Sequence, residues 1–247
     1  MHQVRDLLHC LSCEGCLQGF RCACRVIGVV KVKIDGKVVE VEPGTTVLEA
    51  AEKTGIKIPR LCVVPGLYEG SSCRLCLVKT PAGRLFPSCN YRVYRDEEFL
   101  ASTPDLWEMR RVNFELLLKF HKMECWACER KSFCSLVELS KELLVDGIPV
   151  CSECPLPPSE CLLLKGELCL GMITQSGCNA ECLVSGGECW GCRGPITRED
   201  ILWRAFAHYK ELGFNMKDVI SKAEIYWNSA PGFATVKKVA EGVVSRG

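Results

Sequence analysis

Apolar and polar residues first alternate cleanly at residue 30. Val30, Val32 and Ile34 are separated by lysines, Asp35-Gly36 follows, and Val39 and Val41 resume the period of two. This pattern predicts a β-hairpin closed by a two-residue turn. Pro43-Gly44 then breaks the chain. Thr45 or Thr46 is placed to cap a short helix with the apolar face Val47, Leu48, Ala50 and Ala51, ending at Gly55. A cysteine-bearing loop comes next, followed by short strands expected around Leu77-Val78 and Arg84-Leu85-Phe86. Hairpin, helix, cysteine loop and further strands is the order of a β-grasp domain.

The period becomes helical at Pro104. Leu106, Met109, Val112, Phe114, Leu116, Leu117 and Phe120 recur at three-to-four spacing and lead into His121. Residues 135–145 predict another helix. From Pro149 to Gly194-Pro195 periodicity is lost in a run of Cys, Gly and Pro that reads as loops. Helix returns over 197–228, carried by Ile201, Leu202, Ala205, Phe206 and Tyr209 and then by Val219 to Trp227, and the last residues read as frayed. The expected class is α+β. A β-grasp, ferredoxin-like domain at 29–100 precedes a helical His–Cys domain at 101–148, a loop-rich two-cluster module at 149–196 and C-terminal helices at 197–247. Residues 1–28, with Cys10, Cys13, Cys16, Cys22 and Cys24, show neither period nor core. They read as a disordered leader or as translated sequence upstream of the true start, with a further cluster or zinc site as the alternative.

Composition excludes several classes. The 247 residues are 48% hydrophobic and 25% charged with a net charge of +1. There is no basic excess of the kind that marks a nucleic-acid partner. No run approaches the roughly 18 apolar residues that span a bilayer, and His2, Arg5 and Asp6 interrupt the amino terminus where a secretory signal would be apolar. A cytoplasmic protein without membrane insertion is expected.

Cysteine changes the picture, at 20 residues. A chain of this size can build a core without covalent staples, and nothing directs it to an oxidising compartment. The cysteines also recur as six C-x-x-C pairs. Two thiols on one tight turn chelate a single centre, whereas disulfides join distant segments. Metal is the expected use.

Three constellations carry it. Cys62, Cys73, Cys76 and Cys89 are spaced C-x10-C-x2-C-x12-C, with the small residues Gly70, Ser71 and Ser72 ahead of Cys73. Four thiolates on tight loops suit a [2Fe–2S] cluster, and the spacing lacks the second C-x2-C pair of a structural zinc site. His121, Cys125, Cys128 and Cys134 are spaced H-x3-C-x2-C-x5-C. An imidazole in place of a thiolate would make a cluster there less negative and easier to reduce; zinc at a Cys3His site is the rival reading. Cys151, Cys154, Cys161 and Cys169, then Cys178, Cys182, Cys189 and Cys192, supply eight further thiols, enough for two four-ligand clusters. Spacing alone leaves open an exchange of Cys169 with Cys178. Five Glu against one Lys make residues 151–192 locally acidic, a docking face or simply a solvated loop. Gly186-Gly187 reads as a turn and His208 as an ordinary surface position. Neither a dinucleotide fingerprint nor a P-loop is present, so no catalytic residue is assigned.

Val38 to Asn90, with Cys73-Arg74-Leu75-Cys76-Leu77-Val78, resembles the amino-terminal domain of the largest peripheral-arm subunit of respiratory complex I and of the iron–sulfur subunit of NAD-reducing hydrogenases. The stretch from His121 to Cys134 resembles the same complex I subunit, and the resemblance implies a His-ligated [4Fe–4S] cluster. Cys169-Leu170-Gly171, Gly177 to Cys182 and Cys189 to Pro195 instead resemble the carboxy-terminal part of soluble, sulfhydrogenase-type [NiFe]-hydrogenase small subunits. That resemblance implies two [4Fe–4S] clusters, one on Cys151, Cys154, Cys161 and Cys169 and the other on Cys178, Cys182, Cys189 and Cys192. The flavodoxin-like half of such a subunit is missing, so the chain does not read as a complete one.

The expectation is one [2Fe–2S] and three [4Fe–4S] clusters in an electron-transfer subunit between a flavoprotein using NAD(P)H and a catalytic partner, a [NiFe]-hydrogenase. Service to a formate dehydrogenase or a complex I-like NADH dehydrogenase, and a zinc-stabilised interaction module, are the alternatives.

Overall fold

The computed structural model describes residues 28–64 and 67–245, and the cysteines of the amino-terminal leader, with the expectation placed on them, lie outside the described residues. Strands β1 (Val30–Ile34) and β2 (Lys37–Val41) form the expected antiparallel hairpin, in the register Val30 to Val41. Asp35 and Gly36 both take positive φ, 46° and 84°. A two-residue turn that follows the strand twist requires that conformation, and the Asp-Gly pair supplies it at low cost. Helix α1 (Val47–Lys53) starts at Thr46, whose hydroxyl accepts from the Glu49 N–H while the Glu49 carboxylate accepts from the Thr46 N–H. Such a reciprocal cap contributes about 1 kcal/mol.

The hairpin gains a third strand that the hydrophobic pattern did not signal. Strand β7 (Glu97–Phe99) lies parallel to β1, giving the sheet order β2-β1-β7. Two ribbons stand apart: β3 (Val63–Val64) with β4 (Tyr68–Glu69), and β5 (Leu77–Lys79) with β6 (Leu85–Pro87), the last two where strands were expected. Val32, Ile34, Val47, Ala50, Val78 and Phe99 are fully buried and close a first core between sheet and α1.

Helix α2 (Pro104–Phe120) opens with proline at its first turn and α3 is Ser135–Leu143. On α2 the buried face is Leu106, Arg110, Phe114 and Leu118, while Met109, Val112, Leu116 and Phe120 point outward, Phe120 at 87% exposure. The stripe read from apolar residues alone is therefore corrected. The inward face is a spacing of four that contains an arginine.

Beyond Pro149 the chain runs in short 3-10 turns around one short helix, α4 (Glu181–Val184). A buried segment, Leu170 to Thr174, holds this region together. The Val150 N–H donates to the Thr174 carbonyl (2.9 Å), the Ile196 N–H to that of Ile173 (2.8 Å), and the Leu170 N–H to that of Cys189 (2.9 Å). Three helices close the molecule: α5 (Glu199–Glu211), α6 (Met216–Trp227) and α7 (Phe233–Ser245). The described carboxy-terminal residues do not fray, contrary to expectation. Val236, Val239, Ala240 and Val243 recur at helical spacing and are buried against the rest of the second core. No helix among the described residues is long and apolar enough to cross a membrane. Helix and small sheets together give the mixed class that the sequence predicted.

Candidate metal centres

The first four cysteines meet at the seam between the two cores, with Cys76 and Cys89 in the first and Cys73 in the second. Arg74 takes the left-handed conformation (φ 55°), which turns the chain between Cys73 and Cys76, and the Asn113 amide donates to its carbonyl. The thiols of Cys62 and Cys89 both donate to the Gly70 carbonyl, at 3.5 and 2.9 Å. Burial pushes Cys62 up, but hydrogen bonds from Cys73 and Ser72 outweigh it, and the thiol ends below its usual range. Burial pushes Cys73 up. Cys89 is pushed up to about 12, first by burial and then by Cys76, Cys62 and Cys73 around it.

Beneath this loop lies Arg110, 1% exposed. Its guanidinium donates to the carbonyls of Leu77 (2.7 Å) and Ala101 (2.8 Å) and stacks on Trp107, with the centroid 5.0 Å away. Desolvation holds it below the usual arginine range, opposed by Cys76, Glu142 and Asp35. The apolar-stripe reading missed this residue; its place at i+4 between Leu106 and Phe114 was the available signal.

The second set sits on two 3-10 turns, Cys125–Ala127 and Lys131–Phe133. Burial, with Cys134 and Cys128 nearby, pushes Cys125 up to about 12. Trp126 is buried and stacks on His208, ring centroids 6.1 Å apart. His208 is thus half-buried in a ring contact rather than the plain surface position expected. His121 caps the carboxy end of α2 and is exposed. Among the described residues, no hydrogen bond or ion pair joins its ring to the three cysteines.

In the third region Cys151, Cys154, Cys161 and Cys169 line one cavity. Cys151 is pushed well above its usual range by burial and then by Cys169, Cys154 and Cys161, so these four gather on one side. Cys189 is pushed up to about 12 by burial, with Cys169 and Cys178 beside it, and its N–H donates to the Cys169 sulfur (3.4 Å). Cys169 thus neighbours both Cys151 and Cys189, and Cys178 also acts on Cys189. Cys182 and Cys192 are exposed. Helices α5 and α6 hold these loops from behind. The Tyr209 hydroxyl donates to the Cys169 carbonyl (2.6 Å), the Trp227 indole N–H to that of Gly191, and the Lys222 ammonium to that of Leu168. Gly191 has φ 86°, and a Cβ there would meet the Trp227 ring at 2.9 Å. Glycine is required on both counts.

The sets adjoin. Cys125 acts on Cys151, and Cys169 on Cys189. All fifteen described cysteines are free. Gathered thiols are the donor set that iron–sulfur clusters take. Gly171 leaves room beside them: a Cβ would stand 3.3 Å from the Cys151 sulfur and 3.6 Å from that of Cys169. The residues fit the group. Among the described residues, no three His, Cys, Asp or Glu side chains are gathered closely enough to hold a single metal ion.

A pH dependence follows for the metal-free protein. Cys89, Cys125 and Cys189 ionise at about 12 when folded, against 9.0 for a free thiol. Their raised values stabilise the fold fully below pH 9.0, and this contribution is lost as pH rises toward 12. The urea midpoint of apoprotein is expected to fall between about pH 8 and about pH 10.5; an unchanged midpoint would contradict the burial of these thiols.

Residues 28–97 match the family described as a 2Fe-2S iron-sulfur cluster binding domain. An NADH-quinone oxidoreductase polypeptide of Rhizobium meliloti (strain 1021) is 37% identical over 112 residues, 45% of this chain and 13% of that protein. The NADH-ubiquinone oxidoreductase 75 kDa subunit of Reclinomonas americana is 34% identical over 113 residues, 45% of this chain and 16% of its own. Among solved structures, an NAD+-reducing [NiFe]-hydrogenase in the H2-reduced state matches with 31% identity and a TM-score of 0.44, over 47% of this chain and 49% of the other. The chain thus spans 13 and 16% of the length of these two curated relatives. Residues 28–97 thus match a 2Fe-2S iron-sulfur cluster binding domain, and close to half of the chain is similar in sequence to the 75 kDa subunit of an NADH-ubiquinone oxidoreductase and to an NADH-quinone oxidoreductase subunit.

Proposed function

We propose that this chain is the electron-transfer subunit of a multi-subunit oxidoreductase, holding one [2Fe–2S] cluster on Cys62, Cys73, Cys76 and Cys89 and three [4Fe–4S] clusters. His121, Cys125, Cys128 and Cys134 would hold the first of the three. Cys151, Cys154, Cys161 and Cys169 would hold the second, and Cys178, Cys182, Cys189 and Cys192 the third. The observation that carries this reading is that the fifteen described cysteines are free, with Cys151, Cys154, Cys161 and Cys169 lining one cavity, Cys125 acting on Cys151 and Cys169 on Cys189. When bound, such clusters supply one-electron redox chemistry at potentials set by charge, hydrogen bonding and exposure. The chain's own part is to bury Cys73, Cys76, Cys89, Cys169 and Cys189 away from water and to leave Cys182 and Cys192 at the surface. An exposed last site is where a partner protein would approach.

One partner in this proposal is a flavoprotein using NAD(P)H, and the other a [NiFe]-hydrogenase catalytic subunit, on the likeness of residues 169–195 to hydrogenase small subunits. A complex I-like NADH dehydrogenase is the second reading, favoured by the sequence relatives. Anaerobic co-purification separates the two: a nickel-containing partner supports the first, a nickel-free quinone-reducing assembly the second. The cluster content is tested directly. Brown protein with about fourteen irons is expected, falling by about two in Cys62→Ser and by about four in Cys154→Ser. Colourless, zinc-loaded protein would overturn the reading.

A further inference from the structure

Between Cys128 and Cys134 the chain carries a lysine whose side chain turns inward. Lys131 opens the 3-10 turn Lys131–Phe133 and is 7% exposed, while its neighbours Arg130 and Ser132 are exposed. The buried part is the aliphatic stem: the Lys131 Nζ is not among the fully buried side-chain nitrogens that lack a partner, so the ammonium keeps contact with water. Among the described residues, the Lys131 ammonium has no hydrogen bond and no ion pair.

The cavities it borders carry cysteines of two sets. Lys131 lines one cavity together with Trp126, Cys151, Cys154, Cys161 and Cys169. It also lines a second, with Cys134 and Cys154. Its charge reaches Cys125, pulling that thiol down against the larger effect of burial. Two carboxylates border the second cavity. Glu138 is exposed on α3, and Glu153 is paired with Lys141 at 2.8 Å, so neither pairs with Lys131. Lys131 therefore borders thiols of two adjacent sets, and Lys141, the other cation on the second cavity, is paired with Glu153.

A cluster held by thiolates is anionic and becomes more so on reduction. A nearby cation favours the reduced form, and it does so more strongly in a low-dielectric interior than in water. We propose that Lys131 is the shared counter-charge of the Cys125/Cys128/Cys134 and Cys151/Cys154/Cys161/Cys169 centres and raises the reduction potential of both. This rests on the reading that both sets hold clusters. Lys131 is a positioning residue in this sense, acting through the field it sets up and not as a ligand.

The experiment uses the full chain, purified anaerobically with its clusters, and reads iron content first and then potentials by spectroscopically monitored redox titration. Lys131→Met is expected to lower both potentials, each by at least the 59 mV that corresponds to about a tenfold change in a one-electron equilibrium. Lys131→Arg is expected to stay within that margin of wild type, and the [2Fe–2S] centre is expected to be unmoved in either variant. Full iron with unchanged potentials in Lys131→Met overturns the proposal, and a shift confined to one centre overturns the sharing. Should Lys131→Met lose iron, full iron in Lys131→Arg supports a counter-charge, whereas loss in both variants overturns it. Wild-type protein without iron removes the cluster reading itself, an outcome distinct from all of these.

Discussion

Gly171→Ala is expected to keep its fold and lose roughly four of the irons bound by the full chain. The backbone permits the change, because Gly171 is not among the glycines with positive φ. Space is what limits it. The added methyl would stand 3.3 Å from the Cys151 sulfur, 3.6 Å from the Cys169 sulfur and 3.8 Å from the Cys189 Cβ. In metal-free protein those thiols can yield by a few tenths of an ångström, and burying a methyl returns up to about 0.8 kcal/mol. Once metal fixes the sulfurs they no longer yield, so the methyl competes with the metal and not with the fold. Iron per chain, set beside the urea midpoint of the apoprotein, checks this. A full iron complement would show that the gap at Gly171 is not needed.

Arg110→Met is expected to lower stability by about 2–4 kcal/mol, through the two buried carbonyls it strands. Leu77 and Ala101 lie on different segments, and the guanidinium ties both to α2 at 2.7 and 2.8 Å. Methionine keeps much of the length and the packing on Trp107 but donates nothing. Part of the loss is offset, since a charge buried with its Nε unpartnered no longer has to be desolvated. Arg110→Lys should fall between, because one ammonium on a flexible stem does not reproduce the planar fork. Urea unfolding of the three proteins under identical conditions measures the difference. Equal midpoints would mean that the carbonyls find other donors.

Arg110 and Gly171 differ in how plainly the chain announces them. Arg110 sits in a run with Leu106, Phe114 and Leu118 that a spacing of four would have exposed, had a charged residue been admitted to an inward face. Gly171 stands one residue after Leu170 in a loop without period, and nothing local marks it. Only its position against sulfurs from Cys151 and Cys169 gives it a role.

Local order was legible throughout the first half. The Asp35-Gly36 turn, the Thr46 cap with Glu49 three residues on, and the proline opening α2 each depend on neighbours within a few positions, so their signals lie side by side in the chain. The cysteine spacings likewise announced metal. The short strand β7 escaped because Glu97, Glu98 and Phe99 have little alternation of their own and are ordered by pairing with the distant β1. The last helix was taken for fraying although Val236, Val239, Ala240 and Val243 carry a helical period, since burial against distant elements is what makes that period count.

By itself the sequence determined which segments turn, cap and coil, and that sulfur is the chemistry of this protein, because those properties are written in residue type and short spacing. The tertiary structure alone decided that Cys169 lies beside both Cys151 and Cys189, that Arg110 and the stem of Lys131 lie inside, and that Cys182 and Cys192 face outward. Those outcomes depend on which surfaces leave water together, a long-range choice that no local spacing encodes.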